Sequence, residues 1–215
     1  NTPRMGGIVI WVSIFMTVFL IAGLEWIMPD SIFESLNFLS REQTWLPLMA
    51  VAVGAIVGFA DDILVVLGTG KHFAGGLPLT QRLMVVALTA LFSGWWFYEK
   101  LDVSTINLLG VGEISLGIWF IPFFVFVATC VYMSSVIDGI DGLSGGVFMF
   151  IFAAYTGIAF FQNQLDIAAF CATVVGGILA FLWFNVPPAR FYMTETGIMA
   201  LTMSLTVVAF MTDSI

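Results

Sequence analysis

The chain has 215 residues, of which 60% are hydrophobic and only 9% are charged, and its mean hydropathy is +1.07. Soluble domains carry about 25% charged residues, so the composition excludes a soluble globular protein and indicates an integral membrane protein. The net charge of −8 comes without any basic cluster, which argues against nucleic acid binding. Both cysteines lie inside apolar runs, which is typical of buried thiols rather than of a disulfide.

Seven apolar runs are long enough to cross a bilayer, since a membrane helix needs roughly 20 mostly apolar residues. Only helices and closed barrels satisfy every backbone group in lipid, and the alternating pattern of barrel strands is absent. The predicted fold class is therefore an all-α integral membrane protein, with a single transmembrane domain over 1–215. The predicted spans are 8–24, 45–60, 81–98, 117–137, 143–161, 167–184 and 197–212.

The seven spans divide the connecting segments between two sides of the membrane. Lys and Arg are more frequent on the first side, which holds segments 1–7, 61–80, 138–142 and 185–196. By the positive-inside rule, this first side is predicted to be cytoplasmic. On the opposite side, a Gly-Val-Gly turn between two strand-like runs within 105–117 predicts a short extracytoplasmic β-hairpin.

The first side also carries five carboxylates that abut helix ends in apolar surroundings: Asp61, Asp62, Asp138, Asp141 and Glu195. Ionisable groups at such depth are costly, and they indicate function by default. Two like charges about 4 Å apart repel by roughly 4 kcal/mol at an effective dielectric constant near 20. A divalent cation would relieve that repulsion, and ligation by oxygen atoms alone suits Mg²⁺. The sequence therefore predicts a magnesium site on this side.

Two motifs on this side place acids next to or near each other. In GFADD (58–62), neighbouring residues point about 100° apart on a helix, so one aspartate can bind a metal while the other faces a substrate. In SSVIDGIDGLSGG (134–146), Asp138 and Asp141 share a face if the segment is helical, and the glycines admit a phosphate or a base. Helix packing would explain the glycines but not the aspartates, which favours a functional site.

A third motif, FNVPPARFYMTETG (184–197), combines two prolines, three aromatic residues, one Arg and one Glu. Asn185 can read the edge of a base that bears an amide, Tyr192 can stack on a base, and Glu195 can ligate a metal. An ordinary interfacial connector would carry the same prolines and aromatic residues. The motif by itself therefore leaves both interpretations open.

Taken in order, TPRMGG, GFADD, the basic loop 67–82, DGIDGLSGG and LWFNVPPARFYMTETG resemble the polyprenyl-phosphate N-acetylhexosamine-1-phosphate transferases of glycosyltransferase family 4. The resemblance covers essentially the whole chain. It implies a ten-span enzyme of the bacterial cytoplasmic membrane, of which this chain lacks the first span and the last two. It also implies Mg²⁺, a UDP-sugar and a polyprenyl phosphate as substrates, release of UMP at the cytoplasmic face, and a homodimer.

The resemblance further implies a role for each matching residue. The pair at 61–62 matches the family's acidic pair, one member of which deprotonates the lipid phosphate, and Glu195 falls where the family has a Mg²⁺-ligating aspartate. The implied sets are catalytic Asp61, Asp62, Asp138 and Asp141; metal-binding Glu195, Asp61 and Asp62; and substrate-binding Lys71, Arg82, Gly139, Ile140, Asn185 and Tyr192.

The chain departs from the family pattern at several positions. Thr194 and Glu195 replace Gly-Asp, Ile198 replaces Ser, Ser135 replaces Asn, and Val65 replaces a common Lys. A glutamate can still ligate Mg²⁺, but its extra methylene group requires a shifted backbone.

The sequence leaves alternatives open for the transferred sugar and for the class of activity. Met5 and LWFN (182–185) resemble the branch that transfers phospho-MurNAc-pentapeptide, which is the predicted activity, whereas Arg4 and Ile140 resemble the branch that transfers GlcNAc-1-phosphate. An ion-coupled transporter would also use carboxylates within the membrane, but it predicts acids at mid-span and an internal repeat. A catalytically silent homologue is the third alternative.

Overall fold

In a computed structural model of the chain, the structure describes residues 3–28, 44–68, 76–108, 112–135 and 140–214. These residues form seven α-helices and one two-stranded sheet, and each helix overlaps one predicted span. The elements are α1 (Gly7–Ile27), α2 (Trp45–Leu67), α3 (Leu79–Lys100), β1 (Thr105–Leu108), β2 (Gly112–Ser115), α4 (Phe120–Ser134), α5 (Leu143–Phe161), α6 (Leu165–Asn185) and α7 (Thr194–Met211).

Six helical segments within the described residues are long and apolar enough to cross a bilayer, rather than the seven predicted. The exception is α3, which covers the predicted span 81–98. Gln81 and Arg82 near its start and Glu99 and Lys100 at its end shorten its apolar part. The all-α membrane fold class is confirmed.

The predicted hairpin within 105–117 is also confirmed. Strands β1 and β2 pair antiparallel, with Thr105 opposite Ser115. The backbone N–H of Asn107 donates to Asp213 Oδ1 at 3.2 Å, which ties the hairpin to the end of α7. The hairpin therefore lies at the same end of the molecule as the C-terminal end of α7.

Helix α7 is the centre of the fold, because it packs against α1, α2, α3, α4 and α5. Sixteen of its eighteen residues are buried. Several of them carry hydroxyl groups, which donate to carbonyls of their own helix; Thr202, for example, donates to the carbonyl of Ile198 at 2.8 Å. Such internal bonds satisfy polar groups that have no access to water. The helix is therefore shielded from lipid by the protein around it.

Glycines allow α7 to approach its neighbours at backbone distance. A Cβ atom added at Gly54 or Gly58 of α2 would clash with the backbone of α7, at Ala200 and at Glu195 respectively. A Cβ atom added at Gly7 of α1 would likewise clash with Gly197. Small residues at helix crossings permit this close packing in membranes. The first turns of α1 and α7 and the last turns of α2 are thereby held together at one end of the bundle.

Candidate functional site

Charged side chains from four parts of the chain meet at the end of the bundle where α2 ends and α7 begins. Asp61 and Asp62 lie near the end of α2, Arg82 lies in the first turn of α3, and Glu195 lies in the first turn of α7. Arg4 approaches from the segment that precedes α1. These five residues form what we call the charged cluster.

The segment before α1 is held against the segment that leads into α7. The N–H groups of Gly6 and Gly7 donate to the carbonyls of Tyr192 and Met193 at 2.8 and 3.1 Å. Met5 has a φ of 70° and donates its N–H to Thr194 Oγ1 at 3.1 Å. This pairing brings the Arg4 side chain beside Asp62.

Asp62 is fully buried, and its two oxygens have different surroundings. Its Oδ2 accepts three hydrogen bonds, from the hydroxyls of Thr194 and Thr196 at 2.5 Å each and from the N–H of Thr196 at 3.0 Å. Its Oδ1 has no hydrogen-bond partner among the described residues, and Arg4 Nε lies 3.7 Å away. The carboxylate is therefore held in place through Oδ2, while Oδ1 can still accept a contact from a ligand.

Asp61 and Glu195 are joined through Arg82. The guanidinium lies 3.0 Å from Asp61 Oδ2 and 2.5 Å from Glu195 Oε1. Asp61 Oδ1 also accepts from the N–H of Leu77 at 2.5 Å, and Glu195 Oε2 accepts from the Tyr132 hydroxyl at 2.9 Å. The two adjacent aspartates thus face different partners, in line with the 100° separation expected on a helix.

A second group of polar contacts fastens the loop between α6 and α7. Asp141 accepts from the N–H of Ala189 at 2.9 Å and from the Tyr192 hydroxyl at 3.0 Å. Asn185 is buried, accepts from the N–H of Gly142 at 2.9 Å, and donates to a loop carbonyl at 2.8 Å. These contacts position the loop that continues directly into Thr194 and the charged cluster. For Asn185 and Tyr192, recognition of a base stays a prediction.

Loss of one of these contacts is expected to loosen the loop without unfolding the bundle. Tyr192→Phe removes the hydroxyl that donates to Asp141. A hydrogen bond to a charged group contributes about 1.5 kcal/mol or more, so we expect a free energy of unfolding lower by about that amount. Thermal unfolding in detergent measures it, with Tyr98→Phe, in α3, as the matched control. Equal stability of the two variants would contradict the positioning role.

The structure brings together some of the predicted residues. Asp61, Asp62, Arg82 and Glu195 meet in the charged cluster. Asp141, Asn185 and Tyr192 meet in the second group, and Ile140 is exposed. Asp138, Gly139 and Lys71 lie outside the described residues.

The helical arrangement considered for the pair Asp138 and Asp141 is not formed at Asp141. Helix α5 begins only at Leu143, after Gly142, whose φ of 77° suits a turn. Asp141 therefore lies in the turn that precedes the helix, where its carboxylate can reach across to the 185–192 loop.

Four contacting residues were not among the site residues predicted from the sequence: Arg4, Tyr132, Thr194 and Thr196. The motif TPRMGG is one of those that carry the family resemblance, and its Arg4 is the residue that reaches the cluster. Thr194 and Thr196 flank Glu195, so the sequence TET (194–196) could have indicated that both threonines lie near the carboxylates. Tyr132 lies inside an apolar run, and nothing in the sequence distinguishes it from the neighbouring aromatic residues.

The fit of a metal ion rests on two buried carboxylate oxygens without a hydrogen-bond partner among the described residues, Asp61 Oδ2 and Asp62 Oδ1. Among the described residues, no three side chains of His, Cys, Asp or Glu are grouped around a common point that could hold a metal. The sequence suggested that a metal relieves the repulsion between these carboxylates. Arg82 already relieves part of that repulsion, because it pairs with both Asp61 and Glu195. Both atoms are oxygen ligands of the kind that Mg²⁺ prefers; Asp61 Oδ2 lies 3.0 Å from Arg82 and Asp62 Oδ1 lies 3.7 Å from Arg4.

Comparison with known proteins places these residues in a family. The family model described as "Glycosyl transferase family 4" matches residues 44–213. Relatives named phospho-N-acetylmuramoyl-pentapeptide-transferase are 34% identical over 98% of this chain in Listeria welshimeri, 34% over 94% in Latilactobacillus sakei, and 32% over 99% in Anoxybacillus flavithermus. The chain spans 61%, 58% and 61% of the length of these relatives. Because the family model matches most of the chain, including Asp61, Asp62, Arg82 and Glu195 of the charged cluster, the chain belongs to glycosyl transferase family 4.

Proposed function

We propose that this chain forms the catalytic part of an enzyme that transfers phospho-MurNAc-pentapeptide from its UDP-sugar to a polyprenyl phosphate. The observation that carries the proposal is the charged cluster at one end of a membrane bundle, where the buried Asp61 and Asp62 meet two arginines. The names of the relatives supply the transferred group, phospho-N-acetylmuramoyl-pentapeptide. The polyprenyl phosphate acceptor is what the resemblance of the motifs implies. The proposed location is the bacterial cytoplasmic membrane, with the site on the cytoplasmic face.

The position of the cluster suits two substrates of opposite solubility. A polyprenyl phosphate is held in the bilayer, whereas a UDP-sugar comes from water, so their phosphates meet at the membrane boundary. In the proposed reaction, an oxygen of the lipid phosphate attacks the sugar-bearing phosphorus of the UDP-sugar. The bond from that phosphorus to the oxygen of UMP breaks, and the products are a lipid-linked sugar diphosphate and UMP.

Phosphoryl transfer depends mainly on positioning and on neutralisation of negative charge. Mg²⁺ bound to the cluster carboxylates would neutralise the diphosphate and stabilise the leaving UMP. Arg4 is about half exposed at the mouth of the cluster, so its guanidinium can bind a phosphate oxygen. Thr194 and Thr196 hold Asp62 in place, and Tyr132 holds Glu195.

The direct test follows UMP release by the full-length protein in detergent with polyprenyl phosphate, Mg²⁺ and either UDP-MurNAc-pentapeptide or UDP-GlcNAc. We expect UMP from the pentapeptide donor, and none after chelation of the metal with EDTA. UMP from UDP-GlcNAc alone would move the assignment to the GlcNAc-1-phosphate branch, which Arg4 of TPRMGG favours. No UMP from either donor with a folded protein would contradict the proposal.

Arg4 is expected to contribute to substrate binding rather than to the fold. Arg4→Gln removes a half-exposed guanidinium whose nearest carboxylate atom is 3.7 Å away. A lost charge-assisted contact to phosphate costs about 1.5 kcal/mol or more, so we expect KM for the UDP-sugar to rise about tenfold. Steady-state kinetics of UMP release measure this change. An unchanged KM in the variant would exclude a contact between Arg4 and the donor.

A further inference from the structure

A small cavity lies inside the bundle, lined by residues of α2, α3, α4 and α7. Its volume of about 10 Å³ is close to the roughly 10–15 Å³ that a single water requires. Three of the lining residues carry hydroxyl groups, Thr89 and Ser93 of α3 and Thr206 of α7. The other lining residues are apolar, so these three hydroxyls are the polar part of the cavity wall.

The cavity repeats the contact that α3 and α7 make at the charged cluster. Arg82 of α3 and Glu195 of α7 form an ion pair there. Ser93 follows Arg82 by eleven residues, and Thr206 follows Glu195 by eleven residues. Eleven residues of an α-helix are about three turns and about 16 Å, so each of these pairs lies on one helix face. The faces that meet at the cluster therefore meet again at the cavity, about 16 Å along each helix.

The hydroxyl groups around the cavity have unused hydrogen-bonding capacity. Thr89 Oγ1 donates to the carbonyl of Val85 at 2.9 Å, and Thr206 Oγ1 donates to the carbonyl of Thr202 at 3.0 Å. Both oxygens keep lone pairs that can accept a further hydrogen bond. Ser93 is only 1% exposed, and its hydroxyl bonds to no described residue. The cavity thus offers one buried donor and two acceptors to a ligand.

Water is the ligand whose size and hydrogen bonds match these groups. It can accept from Ser93 and donate to Thr89 and Thr206, and buried waters typically have two to four such partners. An apolar occupant would leave the buried Ser93 hydroxyl without a partner, which is unfavourable. A divalent metal ion requires more oxygen ligands than these three hydroxyls supply.

We propose that this cavity is a binding site for one internal water, which hydrogen-bonds to Ser93, Thr89 and Thr206 and joins α3 to α7 inside the bundle. The bridge holds in register the two helix faces that carry Arg82 and Glu195 at the charged cluster. The water site lies outside the cluster, so it does not depend on the proposed reaction.

Radiolytic labelling of the full-length protein in detergent tests the proposal, because hydroxyl radicals formed from an internal water oxidise the side chains beside it. Met203 lines the cavity, whereas Met199, one turn earlier in α7, is buried but does not line it. Met199 is also nearer the charged cluster, so bulk water entering from that end would oxidise it first. We expect Met203 to be oxidised about fivefold faster than Met199, as measured by mass spectrometry. Equal oxidation of the two methionines in the unsubstituted protein would overturn the proposal.

The threonines of α7 provide a pair of variants that keep the shape of the side chain. Thr202 and Thr206 are both 1% exposed and both donate within α7, but only Thr206 lines the cavity. Thr206→Val removes a partner of the water, so we expect it to lower Met203 oxidation about twofold or more. Thr202→Val is the matched control and is expected to leave that oxidation unchanged. Equal Met203 oxidation in the two variants would overturn the bridge to α7.

Ser93→Ala distinguishes a hydrated cavity from a dry one by the sign of the change in Tm. In a dry cavity, alanine removes a hydroxyl that has no partner, so Tm would rise. In a hydrated cavity, alanine removes the donor to the water, so we expect Tm to fall by about 3 °C. Ser13→Ala, which removes a hydroxyl that donates within α1, is the control and is expected to change Tm by less than about 1 °C. A Tm of Ser93→Ala equal to or above that of the unsubstituted protein would overturn the proposal. The comparison of Met203 with Met199 needs no variant, so it decides the question even where Ser93→Ala fails to fold.

Discussion

Asp62→Asn is expected to lower kcat for UMP release by about a thousandfold. Removal of one preorganised charged or polar group at a reacting phosphoryl or acyl centre costs about a hundredfold to a thousandfold. The loss of rate on replacing Asp62 is expected at the upper end of this range, because Asp62 is fully buried and its Oδ1 has no hydrogen bond to any described residue. The asparagine oxygen still accepts from Thr194 and Thr196, so the fold of this region is retained.

The measurement is the initial rate of UMP release, together with the thermal midpoint of the detergent-solubilised protein. Asp213→Asn is the matched control, because Asp213 lies at the opposite end of the bundle, where it accepts from the N–H of Asn107. We expect the control to retain full activity and both variants to unfold within a few degrees of the unsubstituted protein. An Asp62→Asn variant that keeps more than about a tenth of the rate would contradict the assigned role.

Gly58→Ala is expected to lower the free energy of unfolding by about 3 kcal/mol, the upper end of the range for overpacking. The added Cβ would clash with the carbonyl group of Glu195 and approach Cα of Thr196 at 2.8 Å. These are backbone atoms in the first turn of the central helix, so no side-chain rotation relieves the overlap. The resulting separation of α2 from α7 also pulls Glu195 away from Arg82, so UMP release is expected to fall with stability.

Gly157→Ala is the matched control for this effect. Gly157 lies within α5, and a Cβ atom there has nothing within 4 Å. Because alanine favours helix over glycine by up to about 1 kcal/mol, the control is expected to be as stable as the unsubstituted protein or slightly more so. Thermal unfolding of both variants in the same detergent compares them. Equal stability of Gly58→Ala and Gly157→Ala would mean that the helices do not pack at backbone distance.

The sequence pattern predicted helix α7 but not its position at the centre of the fold. Its run of apolar residues predicted a span over 197–212, and a helix is present over Thr194–Met211. The threonines and serines in this run gave no indication that α7 lies at the centre, because hydropathy measures the composition of a segment and not its neighbours. The tertiary structure places α7 among five other helices, and its hydroxyl groups bond to its own carbonyls.

The sequence by itself determined the membrane class, the approximate position of every helix that the structure describes, the hairpin, and the location of Asp61, Asp62 and Glu195 near helix ends. These features depend on local composition and on the requirement that backbone groups be satisfied in lipid. Only the tertiary structure decided that Arg82 forms ion pairs with Asp61 and Glu195, that Tyr132 donates to Glu195, and that one oxygen of Asp62 receives no hydrogen bond from any described residue. Those pairings depend on how each helix is rotated and how closely glycines let the helices approach, and neither is encoded in the composition of a single segment.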